Sequence, residues 1–304
     1  MEHVSVAHDS KAGPELLYHY TDAVGLHGIV SSGEVWATDA LYLNDATEFV
    51  YIFNLLEEEL IAFERTEPRP PEDALAVSEL IRATATTQLS LMRDDVPCFV
   101  ACFCEEKDLL SQWRAYSQGV GGFSLGFRRS VVESSTAGSN FGAFRFEPVL
   151  YDAMVQRQSL QQGVLRAVEQ YRDEIASGVV DDRLRVWQAL VGGYFGTVGF
   201  NALLNKSPGF SEEREWRIIV RVHRSAVRDA SLPRFRPSPR LGLVPYVPLN
   251  FLGDQLSRMP IAEIVIGPTP HPELVERSVR LLLAAQGYEE GEVEVTHSVI
   301  PLRA

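Results

Sequence analysis

Apolar positions along the chain change period several times, and each change marks an element. Leu16-Leu17-Tyr18-His19-Tyr20-Thr21 is short, aromatic and flanked by polar residues, the pattern of a strand. Asp22 offers a cap for a helix through Val30, and Gly33 supplies the residue that closes it after Ser31-Ser32. Val35-Trp36-Ala37-Thr38 reads as a second strand, leading through Leu41-Tyr42-Leu43 to the turn pair Asn44-Asp45. From Ala46 to Phe63 the spacing of Phe49, Ile52, Phe53, Leu56 and Leu60 is helical. Pro68 to Pro71 ends that pattern, and Glu72 to Met92 predicts another amphipathic helix.

Strand-like runs return at Cys98–Cys104 and Gly122–Phe127, with Ser111–Tyr116 between them on a short helix or loop. Phe144–Tyr151 predicts a further strand, and Ala153 to about Leu204 is mainly helical. Glu212-Glu213-Arg214-Glu215-Trp216-Arg217 then runs into Ile218-Ile219-Val220, a buried strand. A proline-rich segment follows from Pro233 to Pro248, then a strand at Ile261–Ile266 ending at Gly267-Pro268. A helix from Pro272 to Gln286 and a strand from Val293 to Val299 complete the pattern. Strand blocks separated by helical insertions, at about 46–93 and 153–204, predict a single α+β domain over residues 15–304. Residues 1–14 are polar and unpatterned, which predicts a flexible tail.

Composition narrows the function. A hydrophobic share of 45% suits an ordinary globule rather than a disordered chain. The net charge of -13 argues against broad binding to a nucleic-acid backbone and fits a protein partner or small-molecule substrate better. No apolar run reaches bilayer length and the N-terminus lacks a basic, then apolar, leader pattern, so a cytoplasmic protein without membrane contact is expected. Three cysteines do not make a disulfide scaffold, and no Cys-x-x-Cys pattern points to a metal.

Charge beside a buried strand must be paired or used. Glu213 and Glu215 therefore read either as a salt-bridged strand edge or as carboxylates presented to a ligand, on one face if the strand is regular. His19 reads as a satisfied core histidine or as a hydrogen-bonding group on a cleft floor. Arg114, flanked by Trp113 and Tyr116, can fork onto a phosphate or pair with an acid. Asn44, Asp45 and Glu48 form another polar cluster, with Asp45 also a helix cap. Gly119-Val120-Gly121-Gly122 precedes a strand rather than a helix, so it predicts a hairpin turn and not a phosphate loop.

Together these segments resemble the bacterial proteins grouped as domain of unknown function 2971. The resemblance runs from Leu17–Thr21 and Leu43-Asn44-Asp45 through Leu110–Tyr116 and Glu213–Arg217 to Ile266-Gly267-Pro268 and Ser298–Arg303. It implies no activity. The opening strand with His19 and Thr21, and the late glutamate strand, are also similar to ADP-ribosyltransferases of the His-Tyr-Glu class. That similarity implies a split, twisted, mostly antiparallel sheet and a catalytic set of His19, Tyr42 and Glu215, with Trp36 or Tyr51 as alternatives to Tyr42. It implies NAD as the substrate cofactor, bound by Thr21, Asn44, Trp113, Arg114 and Glu213, with Arg114 clamping the pyrophosphate. ADP-ribose would pass to an unknown macromolecular acceptor or to water, in a toxin or phage-defence effector. Two other classes stay open. One is a metal-dependent phosphodiesterase or nuclease using Asp45, Glu48, Glu213 and Glu215; the other is a non-enzymatic nucleotide sensor or adaptor.

Overall fold

The alternation in Leu16–Thr21 builds the strand that organises the fold. In a computed structural model, which describes residues 13–43, 47–65, 98–116, 121–136, 142–177, 201–222, 232–251 and 258–301, this run is β1. Leu17 is buried on one face and Tyr18 and Tyr20 on the other, as expected of a strand covered on both sides. Asp22 caps α1 (Ala23–Ser32) by accepting the Gly25 amide at 2.8 Å, and Gly33 closes it at φ 69°. After β2 (Glu34–Asp39) and a 3-10 turn over Ala40–Tyr42 comes α2 (Thr47–Arg65). This helix buries Ile52, Phe53, Leu56 and Leu60 and packs against α5 (Ala153–Ser177). The helix expected over Glu72–Met92 lies outside the described residues.

The remaining elements are β3 (Cys98–Cys104), α3 (Leu110–Tyr116), β4 (Phe123–Arg128), α4 (Arg129–Thr136) and β5 (Gly142–Pro148). After α5 come β6 (Glu215–Val222), β7 (Arg234–Ser238), β8 (Gly242–Asn250), β9 (Ile261–Ile266), α6 (Pro272–Ala285) and β10 (Glu294–His297). The fold is mixed α+β, built on one large, open, mostly antiparallel sheet; among the described strands only β9 and β10 pair in parallel. The order is β10-β9-β4-β1-β3-β2-β8-β7, with β6 and then β5 branching from β3. Leu17, Val35, Phe99, Phe103, Leu125, Phe127, Ile218 and Ile264 form the main core, closed by Leu26 and Ile29 of α1 and Val279 and Leu283 of α6. No helix among the described residues is long and apolar enough to cross a membrane.

The branch at β3 splits the sheet. One edge of β3 pairs with β6 along its whole length, from Cys98 opposite Arg221 to Cys104 opposite Glu215. The other edge is shared: Tyr18 of β1 lies opposite Cys104, while Thr38 and Asp39 of β2 lie opposite Val100 and Phe99. Among the described residues, Ala101, Cys102 and Phe103 take no strand partner on that edge. A gap therefore opens between β1 and β2.

The proline-rich segment Pro233–Pro248 is a hairpin, β7–β8, joined to the sheet through β2. Proline cannot donate to a ladder, so it is tolerated only where a strand has one neighbour. Here Pro245 lies opposite Phe235 of β7 alone, and Pro248 opposite Trp36 of β2 alone. The glycine run ending at Gly122, expected to be a hairpin turn, instead falls between helix α3 and β4, with residues 117–120 outside the described residues. Its far end docks on the β9 exit, where the Gly267 amide donates to the Gly122 carbonyl at 2.8 Å. A Cβ on Gly267 would stand 2.9 Å from Trp113 Cε3 and 3.0 Å from that carbonyl. Gly267→Ala is accordingly expected to cost about 1–3 kcal/mol, read from the urea midpoint.

Candidate functional site

The stretch of β3 that faces the gap leaves a carbonyl to be satisfied, and a side chain from β1 does so. His19 Nδ1 lies 2.9 Å from the Cys102 carbonyl oxygen, so that nitrogen carries the proton and donates. The ring is half-buried, its centroid 5.7 Å from that of Phe103. Burial lowers the His19 pKa, against the smaller opposing effect of the carbonyl bond. The ring is therefore neutral near pH 7 and Nε2 keeps its lone pair as an acceptor. His19 is at once a satisfied histidine and part of a cavity wall.

The opposite charge set is built by the segment that precedes β6. A 3-10 helix over Pro208–Glu213 is turned into the strand by Arg214, at φ 40°, so the strand starts at Glu215 rather than at Glu213. Positions i and i+2 of a strand share a face, and Arg217 grips Glu215 in a two-pronged bond, with Nε to Oε1 and Nη2 to Oε2 both 2.9 Å. Arg217 is 1% exposed, and its Nη1 donates to the Leu203 carbonyl at 2.7 Å. Lys206 Nζ stands 2.6 Å from Glu213 Oε2 and 3.3 Å from Glu215 Oε2, above the Phe210 ring. Glu213 and Glu215 thus converge through a shared lysine, without sharing a regular strand.

Two cations and two carboxylates make this buried group neutral, which is the condition for holding charge away from water. Burial pushes the Glu215 pKa up, but the charge and hydrogen bonds of Arg217, then Lys206, outweigh it and hold the carboxyl at about 2. The Cys102 thiol adds to the same effect. Tyr116 reaches the group from α3, and burial above all keeps its phenol protonated.

These residues surround a cavity of about 390 Å3 at the split in the sheet. His19, Cys102 and Phe103 line it, as do Trp36, Thr38 and Leu43, then Tyr116, Lys206, Phe210, Glu213, Glu215 and Arg217. Of the predicted site residues, His19, Glu213 and Glu215 are brought together here. Tyr42 ends the 3-10 turn beside the cavity, but Trp36 and Leu43 form the wall on that side. Tyr51 points to α5, where its hydroxyl donates to Gln156 Oε1 at 2.7 Å. Thr21 sits over α1: a Cβ on Gly25 would fall 1.8 Å from its Oγ1.

Trp113 and Arg114 are also placed elsewhere. On α3 the cavity-facing positions are Gln112, Ala115 and Tyr116, spaced as one helical face. Trp113 is buried edge-on against Tyr20, with Nε1 donating to Asp108 Oδ1 at 2.7 Å, while Arg114 is exposed. Asn44, Asp45 and the side chain of Glu48 lie outside the described residues. Sequence reading missed Arg217 and Lys206 as site residues. The alternation Glu215-Trp216-Arg217 was the available signal for the first; Lys206 lies in no repeating pattern.

Residues 112–218 match the family described as "Protein of unknown function (DUF2971)". The match supports the resemblance to that family. It spans α3 to β6 and so contains Tyr116, Lys206, Glu213, Glu215 and Arg217, but it brings no activity with it. No curated protein and no solved structure matches the chain.

Proposed function

We propose that the cavity takes the nicotinamide-ribose end of NAD and that the protein cleaves its glycosidic bond, passing ADP-ribose to a macromolecule or to water. One observation carries this reading. His19 from β1 and Glu215 at the first residue of β6 line one cavity at the split of the sheet, one neutral and the other ionised.

Each residue has a part that its state permits. The bond from the ribosyl carbon to nicotinamide breaks with both electrons leaving on nicotinamide, and positive charge develops on the ribose as in glycoside cleavage. The Glu215 carboxylate stabilises that charge. Held at about 2, it is too weak a base to deprotonate the acceptor, so the proton of the incoming hydroxyl passes to solvent. A ribose hydroxyl displaces the long Lys206 contact at Glu215, since Lys206 keeps its shorter bond to Glu213. His19 Nε2 accepts a second ribose hydroxyl. Trp36, not Tyr42, is the second-strand aromatic that lines the cavity.

The metal-dependent reading is less well supported by the same group. Lys206 Nζ stands between Glu213 and Glu215, where that reading puts a cation.

Incubation with labelled NAD, with and without a bacterial lysate as acceptor source, tests the reaction. Wild type is expected to release nicotinamide, and Glu215→Gln, checked for folding by circular dichroism, to do so roughly 100-fold more slowly. Equal rates, or no release by wild type under either condition, would overturn the proposal.

A further inference from the structure

At the β2 end of the cavity stand donors that have no acceptor among the described residues: one on Trp36, which lines the cavity, and one on Arg236, which lies beside the lining residue Thr38. Trp36 Nε1 and Arg236 Nε are both screened from solvent, and neither has a hydrogen-bond partner among the described residues. Arg236 is half-buried, and its only polar contact among the described residues is Thr38 Oγ1, 3.3 Å from Nη2. By contrast, Arg217, Lys206, Lys107 and Arg234 each hold a carboxylate.

The register places these donors side by side. Thr38 and Arg234 both lie opposite Tyr246, and Arg236 lies opposite Val244, so Thr38 and Arg236 project from one face of the sheet. Trp36, two residues before Thr38, shares that face and stacks on Tyr246 with centroids 4.5 Å apart, which fixes its indole. Trp36 and Thr38 both line the cavity. A guanidinium, a hydroxyl and an indole N–H in one row, with no anion among them, match the needs of a phosphate. A buried donor left unpaired is costly, and a ligand oxygen removes that cost.

We infer that Arg236, Thr38 and Trp36 form an anion subsite that takes the diphosphate of the dinucleotide, the role that sequence reading assigned to Arg114. The inference rests on reading the cavity as a nucleotide site. It places the ribose at the His19 and Glu215 end and the phosphates at the β2–β7 end. Binding at the subsite also fixes the hairpin β7–β8 as part of the ligand wall.

Calorimetric titration with inorganic pyrophosphate, ADP and NAD tests this on wild type, Arg236→Gln, Arg236→Lys and Trp36→Phe. All three probes are expected to bind wild type, and Arg236→Gln to weaken each by about 10- to 100-fold. Arg236→Lys recovers part of the loss, because lysine restores charge without the planar fork. Trp36→Phe keeps the stack but deletes the N–H, and is expected to weaken pyrophosphate about 3- to 10-fold. Unfolding midpoints without ligand identify any variant that fails to fold. NAD binding unchanged in Arg236→Gln overturns the subsite and leaves the NAD reading standing. Pyrophosphate binding that depends on Arg236, with no binding of NAD, upholds the subsite and overturns the NAD reading. Wild type that binds neither pyrophosphate nor ADP overturns the subsite.

Discussion

Replacing Arg217 by methionine is expected to lower the unfolding free energy by about 3–5 kcal/mol, the usual cost of breaking a buried ion pair from one side. Arg217 is the most enclosed charged side chain of the site, and it satisfies both oxygens of Glu215 and the Leu203 carbonyl. Methionine fills much of the same volume, so the loss comes from stranded polar groups rather than from a cavity. Glu215 would keep only the weak Cys102 thiol and Lys206, at 3.3 Å, and that lysine is already held more closely by Glu213. Adding Glu215→Leu should then restore most of the stability, because Lys206 and Glu213 remain paired and no buried charge is left alone. Urea denaturation of the two single variants and the double variant gives the coupling. A near-neutral Arg217→Met would mean that the Glu215 carboxylate is far more hydrated than its burial indicates.

Acid is expected to destabilise the protein through the same carboxylate. The folded pKa of Glu215 is about 2 against an ordinary 4.5, so the unfolded chain takes up the proton first. The stabilisation is complete above pH 4.5 and disappears as pH falls towards 2, a loss of about 3 kcal/mol. His19 adds to this at higher pH. Burial lowers its pKa below 6.5, so the unfolded chain again binds the proton first and stability falls as pH drops below 6.5. Unfolding midpoints followed from pH 7 to pH 2 should show both stages in wild type, and a smaller lower stage in Glu215→Gln. The Glu263 carboxyl, which burial pushes up but hydrogen bonds from Lys107, Thr296 and Tyr18 hold below its ordinary value, still contributes there. A Glu215→Gln profile parallel to wild type between pH 4.5 and pH 2 would place the acid sensitivity elsewhere.

Local chemistry explains what could be read from the sequence. Asp22 and Gly33 mark the ends of α1 because a cap and a left-handed glycine act within one turn. The apolar runs Cys98–Cys104 and Ile261–Ile266 are buried strands because both faces of the sheet are covered. Glu215 was visible because charge beside such a run needs a reason. Register and tertiary partners were not legible. The hairpin β7–β8 was hidden by prolines whose tolerance depends on which strands lie opposite them, and Arg236 was hidden with it. That Gln112 and Tyr116 rather than Arg114 face the cavity was not legible, because the helical phase of a seven-residue element cannot be fixed from so short a pattern. Lys206 joins the site only through the chain returning beside β6, a contact with no local signature.

The proposed chemistry requires a nucleotide to enter the split between β1 and β2 at His19. Calorimetric titration of NAD into wild type and His19→Ala, without added metal, tests this most directly, since binding does not depend on knowing the acceptor. Saturable binding by wild type, lost in a folded His19→Ala, is the result expected. No binding at millimolar NAD, or equal binding by both proteins, would contradict it.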